Sequence, residues 1–122
     1  MLGWLVLGLC VMTANAERSL PPAYEIGGLW HGQFPANEGD EGIDIDFQQN
    51  QAYFVLDGRR VQTQELRFEQ EGDSLSIWLT SLSDAEDQAL FTGKFVDPNT
   101  IRGRYGNKLR AEDFAMDLVK RP

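Results

Sequence analysis

The chain has one histidine, His31, which follows Trp30 in the glycine-flanked run GGLWHGQF at residues 27–34. Nucleophilic catalysis would have to pair this imidazole with Ser74, Ser76, Ser81 or Ser83, yet no nucleophile-elbow sequence aims any of those hydroxyls. A histidine-based metal site is not expected on donor count. With one His, and with the single Cys at position 10 inside the apolar leader, only oxygen ligands remain. Oxygen donors are dense in EGDEGIDID, where Asp40, Asp44 and Asp46 are the residues that could hold a calcium ion. Their spacing matches no EF-hand loop, and alternation reads Asp44 and Asp46 as solvated outward positions on a strand. The same pair as glycosidase acid and base would need a cleft and unequal surroundings, which a convex wall does not offer. No catalytic set, metal or cofactor is therefore expected, and the reading is of a non-enzyme.

Two local basic pairs, Arg59-Arg60 and Arg102-Arg104, stand on an otherwise acidic chain. Their plain role is to pair across strands with outward carboxylates. Their sharper role is to recognise an acidic group on a partner, which makes Arg102 and Arg104 partner-contact candidates. The formal net charge is −8, with 19 acidic against 11 basic residues, all after Ala16. Such a field repels nucleic acid and anionic membrane surfaces and favours a cationic protein partner.

The elements that must carry these groups alternate with period two between turn signals, without a helical stripe. The first strand is expected over Glu25 to Phe34, and opposite parity turns Trp30 inward and His31 outward. GIDIDFQ, AYFVL, RRVQTQELRFEQ, SLSIWLT, ALFTGKFV, TIRGRY and EDFAMDLVK follow as seven more strands. The parity of AYFVL is ambiguous, Asp57-Gly58 is a hairpin turn, and a parity change between Val61 and Leu66 reads as a β-bulge. The loop SLSDAEDQ has room for one helical turn at most. Eight short strands in sequential order predict an all-β chain, a small eight-stranded antiparallel up-and-down β-barrel whose closure removes both sheet edges, with a β-sandwich as second choice.

Bulky inward groups fill a barrel of this size more readily than they leave a cavity. Should a small apolar ligand be carried, the lining candidates are Trp30, Tyr105, Tyr53 and Lys120. On the outer wall Trp78 and Leu90 carry outward parity on facing strands, a second pair of partner-contact candidates.

The leading segment MLGWLVLGLCVMTANA reads as a secretory signal cleaved after Ala16, too short to span a membrane. The expected organisation is residues 1–16 as signal, 17–24 as a short lead and 25–122 as one barrel, a monomer in the periplasm or secreted. Cleavage leaves roughly 100 residues without cysteine, enough for a single core held by packing alone.

Gly28-Leu29-Trp30 on the first strand is similar to the G-x-W signature of lipocalins and the wider calycins, and the meander after it ends in a basic pair. That resemblance implies that Trp30 plugs one end of the barrel and that Lys120 or Arg121 packs across it. The chain is shorter than a typical lipocalin, has no T-D-Y type motif in a middle loop and shows no C-terminal helix pattern. The functional expectation is a barrel that binds a partner protein, as an inhibitor or accessory factor. The alternative is a lipocalin-like carrier of a small apolar molecule.

Overall fold

The computed structural model describes residues 20–35, 40–80, 89–107 and 110–122. The expected signal and its cleavage site and the whole of SLSDAEDQ, with Ser81 and Ser83, lie outside these residues. Eight strands follow one another: β1 (Leu29–Gln33), β2 (Glu41–Asp46), β3 (Gln51–Leu56), β4 (Arg59–Glu71), β5 (Ser74–Leu79), β6 (Phe91–Asp97), β7 (Thr100–Asn107) and β8 (Glu112–Lys120). Each pairs antiparallel with the next, and β1 pairs with β8, so the sheet is a closed eight-strand up-and-down barrel.

Alternation puts the apolar set inside. Trp30, Ile43, Ile45, Ile77, Phe91, Ile101, Tyr105 and Leu118 are fully buried. AYFVL resolves with Ala52 and Phe54 inward and Tyr53 and Val55 half-buried on the outer face. Positive φ at Asp57 (52°) and Gly58 (76°) gives the hairpin turn that matches strand twist. The bulge falls at Val61: Phe54 faces Gln62 and Val55 faces Arg60, which leaves Val61 without a partner and exposed. A second register shift lies between Phe95 and Asp97 on β6.

The first strand is shorter than expected. At Gly28, whose φ is +97°, the chain turns, and residues before it cross the lower end of the barrel instead of extending β1. Ala23 donates to the Gly72 carbonyl (2.8 Å), Gln70 donates to the Tyr24 carbonyl (2.6 Å), and Tyr24 stacks on Phe95 at 4.8 Å. Trp30 closes the same end. Its indole N–H donates to the Ile26 carbonyl (2.9 Å), its ring meets Phe95 edge-on, and the Lys120 ammonium lies 5.7 Å from its ring centroid.

Close approach of strands replaces side-chain volume at Gly103. A Cβ there would collide with the Thr92 carbonyl oxygen and stand 2.6 Å from Gly93 Cα. The upper end holds an aromatic cluster, with Phe34, Tyr105 and Phe114 ring centroids 4.8 to 5.1 Å apart. Burial pushes the Tyr105 phenol up to about 12, against a lowering contribution from the Asn107 amide. Arg110 bridges Glu41 (3.3 Å) and Glu112 (3.7 Å) above that cluster.

Candidate functional site

The polar groups with most geometric definition sit on the outer wall of β1, β2 and β8. Register puts His31 between Asp44 on β2 and Val119 on β8, and Asp44 faces Tyr53 on β3. The imidazole packs against Gly42, where both it and the β1 backbone leave no room for a side chain. A Cβ at Gly42 would stand 3.0 Å from His31 Cε1 and 2.6 Å from the Gly32 carbonyl oxygen. His31 Nδ1 meets Asp44 Oδ1 at 2.6 Å, with both side chains largely shielded from solvent. Gln33 donates its amide N–H to the Glu41 carbonyl (2.9 Å), so its own oxygen faces His31 Nε2 at 3.1 Å. A side-chain oxygen thus stands within hydrogen-bond distance of each ring nitrogen. Arg60 completes the array, donating to Asp44 Oδ2 (3.2 Å) with its guanidinium 4.0 Å above the Tyr53 ring.

Beside this array an open groove of about 660 Å³ runs along β8, lined by His31, Gln33, Arg102, Ala115, Met116, Asp117, Val119 and Arg121. Its origin is the seam of the barrel. The β1–β8 ladder has three residue pairs, from Trp30↔Lys120 to Gly32↔Leu118, whereas β8 pairs with β7 from Glu112 to Val119. Beyond Leu118 the ladder stops, and the inward-facing, buried Met116 lines the groove beside outward Ala115 and Asp117. The lining is mixed: Arg102 sits against Asp117 at 3.4 Å, Val119 is 48 % exposed, and Arg121 reaches the same face. A second groove, of about 550 Å³, follows the lead below the barrel, along Pro22, Tyr24, Ile26 and Gln70.

The residues singled out from sequence divide accordingly. Trp30 and Tyr105 are buried inside and pack on other rings, and Lys120 lies over Trp30. Tyr53 is not in the interior at all, since Ala52 and Phe54 take the inward positions of β3 and the Tyr53 ring lies under Arg60 outside. Trp78 is outward, covered by Arg67, whose guanidinium is 4.1 Å from the ring centroid. Leu90 is a correction: it is buried, 3 % exposed, and belongs to the core. Strand parity does not reach it, because it precedes the first ladder residue of β6 and is held by bonds from its N–H to Ile77 and from Gly106 to its carbonyl. Arg102 lies in the groove, and Arg104 pairs beside it with Asp113 at 2.9 Å.

The three aspartates of the calcium set point to separate partners. Asp44 is taken by His31 and Arg60, Asp46 accepts the backbone N–H groups of Gln48 and Gln49, and Asp40 faces Gln33. Among the described residues no three His, Cys, Asp or Glu side chains converge as a metal site. Sequence reasoning missed Gly42, Gln33 and the seam itself. The signal for the first was available, a glycine on the outward parity of a strand, which marks close approach of a neighbouring backbone or side chain.

Compared with protein-family models, with curated proteins and with solved structures, the chain matches none of them.

Proposed function

We propose that this chain is a non-catalytic binding barrel that engages a partner protein through its outer wall, in an extracytoplasmic compartment reached by way of the leading segment. The observation that carries this reading is the groove at the β1–β8 seam, which exposes charged, polar and apolar side chains together on the outside of a barrel whose interior is occupied by side chains. A carrier of a small apolar ligand would need lumen volume where Trp30, Phe91 and Tyr105 pack. The lipocalin-like character of the barrel is supported by Lys120 over the Trp30 ring at its lower end.

The test is capture of partners by the immobilised protein at low and high salt, with a groove-filling variant, Val119→Arg, and a control on another wall, Thr92→Arg. Recovery of one protein at low salt, lost with Val119→Arg and kept with Thr92→Arg, is the expected result. Equal recovery by both variants would remove the groove from the reading.

A further inference from the structure

On the outer face of β6 and β7 three cations stand together. Register sets Lys94 directly opposite Arg102, and Arg104 follows two residues along β7 on the same face, opposite Thr92. All three are exposed. Like charges directly opposite one another destabilise a sheet. Among the described residues no other ladder position pairs two side chains of like charge. The exception falls on a chain with 19 acidic residues against 11 basic ones, where neutral or opposite pairing was the easier arrangement. Lys94 forms no ion pair among the described residues, and its neighbour on β5 is Ser74. Arg102 and Arg104 hold Asp117 (3.4 Å) and Asp113 (2.9 Å) through Nε alone. Those aspartates aim the guanidinium heads without saturating them, since the terminal nitrogens keep N–H groups for a second carboxylate.

We propose that Lys94, Arg102 and Arg104 together receive a short acidic segment of a partner protein, extended along β7 with carboxylates on alternate residues. The inference rests on the binding-barrel reading and names the chemistry of the partner's contact; the triad meets the seam groove at Arg102, which lines both. Arginine clusters are a recurring means of recognising acidic motifs. A local rule broken without a compensating gain in stability is a mark of a functional surface. The spacing fits the occupant. Arg102 and Arg104 stand two residues apart on a strand, about 7 Å, which is the interval between alternate side chains of an extended segment laid beside it. Lys94 lies about 5 Å across from Arg102, within reach of the same carboxylates. Neighbouring strands limit the occupant's width. Asp113 and Asp117 bound the cations on β8, and beyond Ser74 and Ser76 on β5 stand Glu71 and Glu69 on β4. A broad anionic surface would meet those carboxylates and the field of a chain of net charge −8, so a short segment is favoured over a membrane or a polyanion.

The experiment uses the isotope-labelled full chain and a capped synthetic nonapeptide of alternating glutamate and serine. Peptide addition should shift the resonances of Thr92, Lys94, Arg102 and Arg104, including the Nε–H signals of the two arginines, and the affinity should fall as salt is added. Lys94→Gln and Arg104→Gln should each weaken binding roughly 2- to 5-fold, as for exposed ion pairs. Arg59→Gln, on the β3–β4 hairpin, should leave it unchanged, and a glutamine-for-glutamate peptide should not bind. Lys94→Glu separates function from structure: it sets a carboxylate opposite Arg102, and should raise the thermal midpoint while abolishing binding. Equal affinity for the glutamine peptide, shifts spread over basic residues throughout the chain, or a lower thermal midpoint in Lys94→Glu would each overturn the proposal. So would tighter binding of heparin or of phosphatidylglycerol vesicles through the same residues, which would assign the triad to another class of partner. Should a captured partner depend on Val119 but not on Lys94 or Arg104, the binding reading stands and the acidic segment fails. Should the peptide seat on the triad while no partner is captured, the cationic site stands and the binding reading fails.

Discussion

The ionisation of Tyr105 separates a packed barrel from a hollow one. Its side chain is fully buried in the upper half of the lumen, stacked on Phe114 at 5.0 Å, and burial raises its phenol from 10.0 to about 12. A phenol raised in the folded state stays neutral there after the unfolded chain has begun to ionise. Its contribution to stability is complete below about pH 10 and is lost as pH climbs toward 12. Two pH units correspond to about 2–3 kcal/mol, a sizeable share of the stability of a small domain. Alkaline titration followed by phenolate absorbance, with the Tyr105→Phe variant as the difference standard, should show the Tyr105 signal appearing together with unfolding. Urea denaturation at intervals above neutral pH should give a decline that Tyr105→Phe abolishes. If Tyr105 ionises near pH 10 while the protein stays folded, water reaches its hydroxyl, the upper lumen is hollow, and the case for a filled scaffold over a carrier collapses.

Three further outcomes follow from packing and hydrogen bonding. Asp44→Ala strips His31 and Arg60 of a shared, largely shielded acceptor and should cost about 1–2 kcal/mol in urea denaturation; in a double-mutant cycle with His31→Ala the pair should show coupling of at least ~0.5 kcal/mol. Gly103→Ala forces a Cβ into the Thr92 carbonyl, and overpacking of a wall with no room should lower stability by about 1–3 kcal/mol or more, read as a fall in thermal midpoint. Leu90→Ala should behave as a core truncation, costing about 2–5 kcal/mol, whereas a surface leucine would cost almost nothing.

Period-two reading carried the architecture a long way because a barrel wall has one wet face and one dry one. It separated Trp30 from His31, placed Ile43, Ile45, Ile77 and Leu118 inside, and located a bulge near Val61. It failed where alternation stops being the governing rule. Residues 25–28 keep the pattern of a strand, but the positive φ at Gly28 takes them across the barrel end. Leu90 kept outward parity on paper and is buried because the ladder begins one residue later. AYFVL, apolar on both faces, could be oriented only by its neighbours, which is why Tyr53 was a candidate for the wrong side. The outer-wall site was the least legible part. The His31–Asp44 contact depends on the β1–β2 register and the groove on where the β1–β8 ladder ends, and single-strand patterns encode neither.

The sequential strand order also has a kinetic consequence. Seven of the eight ladders join neighbours in the chain, and the eighth, β1 to β8, joins its two ends through three residue pairs. Closing that longest loop carries the largest entropic cost for the smallest return, so it should come after the rate-limiting step of folding. Substitutions along the seam, at Gly32 or Leu118, should then leave the refolding rate nearly unchanged and act by hastening unfolding. The lifetime of the closed barrel would be set at the place where it is joined.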